Sequence, residues 1–198
     1  MPHLSGVFDE FPDLDKVNPD QLMAWVVQKP DRHFLINFLG NRILYPQVVP
    51  LTQKELELDL AILRAAIKLK PGLVFQPQTN KIIIPKMFAE RFPPIGNVVR
   101  AIIEGINPKG VHLIYIKDKT QVKMVGSVIS PLNPQKLSLD EKTVMFTTGD
   151  IKKPLPLNMI SLVQLSVADT QITLGSEEYK VIGGELGLIV DLRLGGFG

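Results

Sequence analysis

Helix boundaries are clearest in the first half of the chain. The pair Asn18-Pro19 is typical of a helix start, and this first helix is predicted to end at Lys29-Pro30. A second helix is predicted to begin after Asp31 and to end at Gly40, which would take the left-handed conformation of a C-terminal cap. The side chains of this second helix that we expect to be buried are Phe34, Leu35 and Phe38.

The next predicted helix has the most regular pattern. Thr52 to Glu55 form a capping box, in which the side chains at both ends accept backbone N–H groups of the first turn. Pro71-Gly72 ends this helix, and a further helix is predicted to open at Pro93-Pro94 and to close near Asn107. The apolar residues that recur at helical spacing after the capping box are Leu56, Leu60, Leu63 and Ile67.

Short β-type runs dominate the rest of the chain. Residues 73–75 and 82–84 are two such runs separated by turn residues, which predicts a hairpin, and residues 111–116 predict another strand. Beyond residue 120 the chain is nearly all strand and turn, because β-branched runs alternate with Pro, Asn, Gly and Asp clusters. The runs of that region are 121–130, 142–147, 161–167, 171–174, 179–182 and 186–192.

These patterns predict an α+β fold, in which a helix-rich N-terminal half packs on an antiparallel β-rich C-terminal half. We divide the chain into an acidic N-terminal arm at 1–20, a helical or α/β region at 21–120 and a β-rich region at 121–198. With 198 residues, of which 45% are hydrophobic, the chain can bury a substantial core. The composition therefore excludes disorder as the main state.

The sequence contains neither a membrane-span pattern nor a secretory signal. No apolar run approaches the roughly 18 residues that a spanning helix needs. The first residues are acidic, whereas a secretory signal begins with basic residues. We therefore expect a soluble, cytoplasmic protein without a membrane span. The absence of cysteine excludes a disulfide scaffold, a thiol nucleophile and a cysteine-ligated metal.

Charge is distributed unevenly along the chain, although the net charge is only +2. The first twenty residues hold five acidic residues against one lysine, whereas residues 68–123 hold ten Lys or Arg against three acidic residues. The basic stretch could bind an acidic partner, or it could be a solvated face on which the acidic arm folds back, which we favour. No aromatic residues interleave with these lysines at stacking spacing, so nucleic acid is not expected as a partner.

The inventory of catalytic groups is thin. His3, His33 and His112 lie far apart and lack the spacing of metal ligands, so we interpret each of them as structural and expect no metal. The chain has no G-x-S-x-G elbow, no G-x-x-x-x-G-K-[ST] phosphate loop and no G-x-G-x-x-G fingerprint. No catalytic residue and no cofactor are therefore predicted.

One glycine cluster near the end of the chain is the candidate binding site. Paired Gly183 and Gly184, followed by Glu185, could permit the close backbone approach of a ligand or a neighbouring chain. Asp191 and Arg193 would supply a polar pair nearby. The alternative, which we favour, is a glycine turn feeding the final strand, with Asp191 and Arg193 on the same solvent-facing side.

Four segments also share a pattern with a known family. Residues 38–52 link the Trp25 helix to a long helix through an Asn- and Pro-rich stretch, and residues 95–111 read as helix, turn and strand. Residues 126–131 are Gly-Ser-Val-Ile-Ser-Pro, and residues 183–193 form a Gly-Gly-x-x-Gly-x-x-x-Asp-x-Arg strand. In this order they resemble the C-terminal part of the glutamate mutase accessory family called MutL or GlmL, in the actin-like ATPase clan.

The resemblance implies a reduced actin-like half-domain followed by a β domain. The family's Asp-x-Gly phosphate loop has no counterpart here, and residues 76–80 lack the glycines of its second loop. Leu192 stands where the family usually has a small residue. These departures imply that packing and partner surfaces are kept while the nucleotide cleft is lost.

The leading functional hypothesis is a non-enzymatic accessory or scaffold protein that binds another protein in the manner of a mutase-associated factor. It follows from the missing catalytic motifs and from a composition more apolar than a free monomer requires. The alternative is a nucleotide-binding or actin-like ATPase-related module. We expect a protein partner or a homo-oligomer, with Phe197 anchoring a glycine-rich contact strap at 194–198, although a frayed tail is an equal alternative.

Overall fold

The computed structural model describes residues 19–45, 48–69, 75–76, 79–138, 140, 142–166 and 168–194. The chain divides into two compact units. The first comprises Met1–Phe75 and Ile84–Ile106, and the second comprises Gln76–Ile83 and Asn107–Gly198. Among the described residues, none of the helices has the length and apolarity required to cross a membrane.

The first unit is helical. In the part of the chain that the structure describes, its first helices are α1 (Pro19–Met23), α2 (Arg32–Leu44) and α3 (Gln53–Leu69). The predicted starts of α2 and α3 are confirmed by their N-terminal caps. The Asp31 side chain accepts the Phe34 backbone N–H at 2.8 Å, and Thr52 Oγ1 accepts the Glu55 N–H at 3.2 Å. In a capping box the Glu55 carboxylate would accept the N–H of the N-cap residue, Thr52. Here it accepts the N–H of the preceding residue, Leu51, at 2.7 Å.

The predicted end of the second helix is wrong. Gly40 lies inside α2, which continues to Leu44 and is closed by the Tyr45 N–H donating to the Asn41 carbonyl at 2.8 Å. Phe34 is exposed rather than buried, while Leu35 and Phe38 are buried as expected. The first helix is also shorter than predicted, because α1 ends at Met23.

Two further helices of the first unit follow, α4 (Lys86–Arg91) and α5 (Ile95–Ile106). The predicted opening of α5 after Pro93-Pro94 is confirmed, whereas α4 was not foreseen. Gly105 allows α5 to lie close to α3, since a Cβ there would be 3.1 Å from the Arg64 carbonyl oxygen. The largest fully buried side chains of this unit are Phe88, Phe92, Leu22, Leu35, Leu39, Leu58, Ile62, Leu63 and Ile67.

A six-stranded sheet has the order β1-β2-β3-β4-β10-β7. Strand β10 pairs with β4 in parallel, with Gly187 opposite Gly126, and with β7 in antiparallel. Strands β3 and β4 form an antiparallel pair with an irregularity between Ile114 and Tyr115. The strands are β1 (Phe75–Gln76), β2 (Lys81–Pro85), β3 (Gly110–Lys117), β4 (Val122–Ser130), β7 (Ile160–Val163) and β10 (Gly187–Asp191).

A four-stranded antiparallel sheet has the order β6-β5-β8-β9. Its strands are β5 (Thr143–Thr148), β6 (Ile151–Pro156), β8 (Asp169–Leu174) and β9 (Glu177–Ile182), and a 3₁₀ turn at Pro134–Leu137 precedes them. One apolar core joins both sheets of the second unit: Val163, Leu188 and Val190 come from the larger sheet and Phe146, Leu155 and Leu174 from the smaller. Strand β6 was missed because its two prolines and two lysines resemble a loop.

The predicted α+β fold is confirmed, with helices before Asn107 and mostly antiparallel strands after it. The long segment of the second unit starts at Asn107, so β3 belongs to this unit and not to the helical one. The reason is pairing: β3 binds along β4 and therefore belongs with the later strands. The acidic arm predicted at 1–20 lies almost entirely outside the described residues.

Candidate functional site

The structure brings two of the predicted site residues together. Arg193 donates from Nε and Nη2 to the two carboxylate oxygens of Asp191, at 2.8 and 2.7 Å. The Arg193 backbone N–H also donates to Asp191 Oδ1, at 3.2 Å. Both side chains are buried: 1% of the Asp191 side chain and 7% of the Arg193 side chain are exposed. The expectation that they face solvent is therefore wrong, because the bidentate pair neutralises both charges inside the second unit.

The paired glycines adjoin the chain's own backbone. A Cβ on Gly183 would lie 1.9 Å from the Ser166 carbonyl oxygen, and one on Gly184 would lie 2.5 Å from the Val125 carbonyl oxygen. Gly187 adopts φ +71°, which favours glycine, and also lies against backbone. The close approach expected of this cluster is thus used for packing against other segments of the same chain.

The remaining predicted site residues lie apart from the buried pair. Glu185 is exposed and forms a salt bridge with Lys123, its Oε2 lying 2.8 Å from Nζ. Phe197 lies outside the described residues, as does the strap beyond Leu194. The described residues of the predicted site therefore have different structural roles and do not line one common ligand-binding site.

The histidines and carboxylates give no metal site in the described part of the chain. His112 is buried in β3, with Nε2 2.8 Å from the Lys109 carbonyl oxygen. His33 is exposed in the first turn of α2. Their structural roles, assigned from the sequence, stay predictions.

The first unit contains a buried charge cluster that was not predicted from the sequence. Arg42 of α2 donates from Nε to Asp59 Oδ1 of α3 at 2.7 Å, and its Cζ lies 4.6 Å from the centre of the Phe38 ring. Burial raises the pKa of Asp59, and the Arg42 hydrogen bond and charge oppose that effect. Burial also lowers the pKa of the nearby Arg91, which the charge of Asp59 opposes. This cluster joins helices and offers no open position for a substrate.

A second polar cluster joins α3 and α5. Glu104 is buried between Arg64, which donates from Nε to Oε2, and Arg100, whose Nε lies 2.9 Å from Oε1. Arg64 and Lys68 also lie over the Trp25 ring, with Cζ and Nζ at 5.1 and 5.4 Å from its centre. These contacts attach the segment after α1 to α3, so their role is structural.

The feature of the first unit that internal packing leaves unexplained is an exposed apolar row on α2. We define the α2 row as Ile36, Gly40, Ile43 and Leu44, which follow one another along the side of the helix that does not face the core. Leu44 is 70% exposed, and Ile36 and Ile43 are 43% and 37% exposed. Around Gly40 the space is open, since a Cβ built there would meet nothing within 4 Å.

The apolar surface continues along the chain after α2. Tyr45, Val48, Val49 and Leu51 are all exposed, and Leu51 is 88% exposed. The segment is fixed to the first unit by Arg91, whose Nη2 donates to the Val48 carbonyl at 2.9 Å. Exposed apolar residues so concentrated in one stretch of chain indicate a binding surface.

The sequence does carry a sign of this surface. The segment 32–44 has apolar residues at nearly every helical phase, so burying one side leaves Ile36, Ile43 and Leu44 on the other. The prediction that α2 ends at Gly40 concealed this, because the shortened helix would have left Ile43 and Leu44 in a loop.

Comparison of the chain with models of known protein families, with curated proteins and with solved structures gives no match in any of the three. The resemblance to the MutL or GlmL family therefore stays a prediction.

Proposed function

We propose that the chain is a cytoplasmic, non-enzymatic accessory or scaffold protein that works by binding another protein through the α2 row. The observation that carries the proposal is an exposed apolar row with an interior glycine on a helix whose other side is already buried. The described chain covers these side chains only in part, and their burial against a partner would be favourable by about 25 cal/mol per Å² of apolar area.

The shape of the row favours a helical partner. Ile36, Gly40, Ile43 and Leu44 have the spacing i, i+4, i+7 and i+8, so the side chains of Ile36, Ile43 and Leu44 border a hole over Gly40 for one side chain of a facing helix. Because Gly40 has no side chain, that hole is deep enough for a large apolar residue. An amphipathic helix with an apolar stripe is therefore the partner we propose.

Gly40 allows a test in which stability and binding move in opposite directions. Glycine inside a helix costs about 1 kcal/mol relative to alanine, and the space around Gly40 is open. Gly40→Ala should therefore stabilise the free protein while filling the hole and weakening the partner complex. Gly96→Ala is the matched control, since Gly96 also lies in a helix with open space around it but not on α2.

The partner can be sought with a photo-crosslinking side chain placed at Ile43 in the native host. Asn41 is the control position, because residues two apart on a helix point about 200° away from each other and Asn41 is exposed as well. We expect one adduct of defined mass from position 43, none from position 41, and loss of the adduct when Gly40→Leu is added. Equal adducts from both positions, or none from either, would overturn the proposal.

The identity of the partner as a mutase-associated protein rests on the family resemblance alone. The same resemblance supports the second candidate, a nucleotide-binding module related to actin-like ATPases. Thermal unfolding with ATP, ADP and Mg²⁺ separates the two, because a ligand present at about 100 times its Kd stabilises by about 2.7 kcal/mol. We expect no nucleotide-dependent shift, and a clear shift would favour the second candidate.

A further inference from the structure

Strand β7 forms an edge of the six-stranded sheet that lacks the usual protection against pairing. Within the described chain, the edge strand β6 contains Pro154, Pro156 and two lysines, and the edge strand β9 contains Glu177, Glu178 and Lys180. Charges and prolines of this kind prevent an edge from accepting another strand. β7 reads Ile-Ser-Leu-Val and has neither.

The pairing of β7 with β10 shows which of its backbone groups have no strand partner among the described residues. The Leu192 N–H, just after β10, donates to the Met159 carbonyl, just before β7, at 3.0 Å. Ser161 and Val163 follow Met159 by two and four residues and lie opposite Val190 and Leu188 of β10. Since hydrogen-bonding direction alternates along an antiparallel strand, the N–H and C=O groups of Ile160 and Leu162 point to the outer edge. The Leu162 side chain is 51% exposed there, and Met159 just before the strand is 54% exposed.

We propose that the outer edge of β7 pairs with the same edge of a second copy of this chain, in antiparallel register about a two-fold axis. The occupant is a second copy because β7 carries no charge, so two copies meet without like-charge repulsion, whereas two copies of the lysine-bearing β6 would repel. The pairing joins two six-stranded sheets through their β7 edges.

The register follows from the same alternation. With the two-fold axis at Ser161, Ile160 of each copy faces Leu162 of the other, and these two pairs exchange four backbone hydrogen bonds. The exposed Leu162 side chain then lies beside an isoleucine rather than in water. The two Ser161 residues face each other as a non-hydrogen-bonded pair, in which the Cα atoms are about 4.5 Å apart.

The absence of cysteine makes this register directly testable. Ser161→Cys introduces the sole thiol of the chain, and Cα atoms about 4.4–6.8 Å apart suit a disulfide. We expect mild oxidation to convert most of this variant to a covalent dimer. Ile151→Cys, on the exposed part of β6, is the matched control and should stay largely monomeric.

Sedimentation of the unmodified protein gives the second measurement. We expect a species of twice the 22.0 kDa chain mass that grows with concentration. Leu162→Lys should abolish it, and Leu162→Pro should do the same, because it removes an outward N–H without touching the β10 ladder. Ile151→Lys should leave the dimer unchanged. Circular dichroism of each variant checks the fold, and Leu162→Lys stands as the test if the proline variant does not fold.

Each contrary result overturns the proposal. A monomer at every concentration would do so, as would a dimer that survives both Leu162 variants or equal crosslinking from positions 151 and 161. A dimer lost through Gly40→Leu on α2 but not through Leu162→Lys would assign self-association to the α2 row instead. The β7 edge and the partner surface on α2 can therefore fail separately.

Discussion

The most consequential single residue of the first unit is Asp59, whose carboxylate is fully buried between helices. Its Oδ1 accepts from Arg42, whereas Oδ2 has no hydrogen-bond partner among the described residues. A buried ion pair gains attraction but loses the hydration of both charges, so its net contribution to folding is small. Removing one partner is different, because the other charge then stays buried without compensation.

A double-mutant cycle at this pair tests that asymmetry. Asp59→Ala should lower the free energy of unfolding by about 3 kcal/mol, since Arg42 remains in the interior. Replacing both partners, with Arg42→Met and Asp59→Leu together, should cost less than Asp59→Ala alone. Urea unfolding of the single and double variants measures both effects. Costs that simply add would show that the two side chains do not depend on each other.

The pH dependence of stability follows from the same residue. Burial raises the pKa of folded Asp59 above the ordinary value of 3.8, although Arg42 and Arg91 oppose this and Glu55 adds to it. A raised pKa means that the native state holds the proton more tightly than the unfolded state does. The stabilisation is therefore complete below pH 3.8 and is lost as the pH rises through the folded pKa.

Comparison of the wild type with Asp59→Asn isolates this contribution. The stability of the wild type relative to the variant should fall as the pH rises from about 4 towards 7. Denaturant unfolding at intervals over that range gives the curve. A relative stability that rises instead would mean that the Arg42 ion pair outweighs burial and holds the Asp59 pKa down.

At the scale of elements, the glycines near β9 and β10 decide how closely the strands can lie. Gly183→Ala would place a Cβ 1.9 Å from the Ser166 carbonyl oxygen, and because that atom is backbone it cannot move aside. We expect a loss of at least about 2 kcal/mol, the range of overpacking in a filled interior. Gly96→Ala, with open space around it, should cause no loss. Thermal unfolding of the two variants makes the comparison, and equal stabilities would contradict the close approach.

The elements that could be predicted are those fixed by local chemistry. The Asp31 cap and the Thr52 capping box form within one turn, so their residues alone determine where α2 and α3 begin. The end of α2 could not be predicted from Gly40, because a glycine in a helix interior and a glycine cap look alike until the rest of the fold is known. Strand β6 is held by pairing with β5, which its prolines conceal.

The candidate sites were predictable only in part, because burial depends on distant contacts. Asp191 and Arg193 were correctly expected to lie near each other, since strand residues two apart share a side. Their burial comes from β10 lying between β4 and β7, which no local pattern indicates. Asp59 and Glu104 lie on helices where carboxylates usually face water, and the buried arginines that donate to them, Arg42 and Arg64, are 17 and 40 residues away.

At the scale of the whole molecule, the basic stretch 68–123 is divided between the two units. Lys86 and Arg100 belong to the first unit, whereas Lys117 and Lys123 belong to the second. Basic side chains of this stretch contact carboxylates, aromatic rings or a carbonyl of the described chain. Among them are Lys68, Lys81, Lys86, Arg91, Arg100 and Lys123.

Lys86, Arg100 and Lys123 of this stretch already pair with carboxylates, which leads to a prediction about nucleic acid. Non-specific binding depends on releasing counterions from several phosphates, and the net charge of the chain is only +2. We expect fluorescence anisotropy of labelled single- and double-stranded DNA to stay flat at about 50 mM salt, up to protein concentrations of about 10⁻⁵ M. Arg100→Glu should change nothing in this assay, because Arg100 already pairs with Glu104. Binding that is strong at low salt and collapses at about 200 mM would mean that these side chains exchange their internal partners for phosphate.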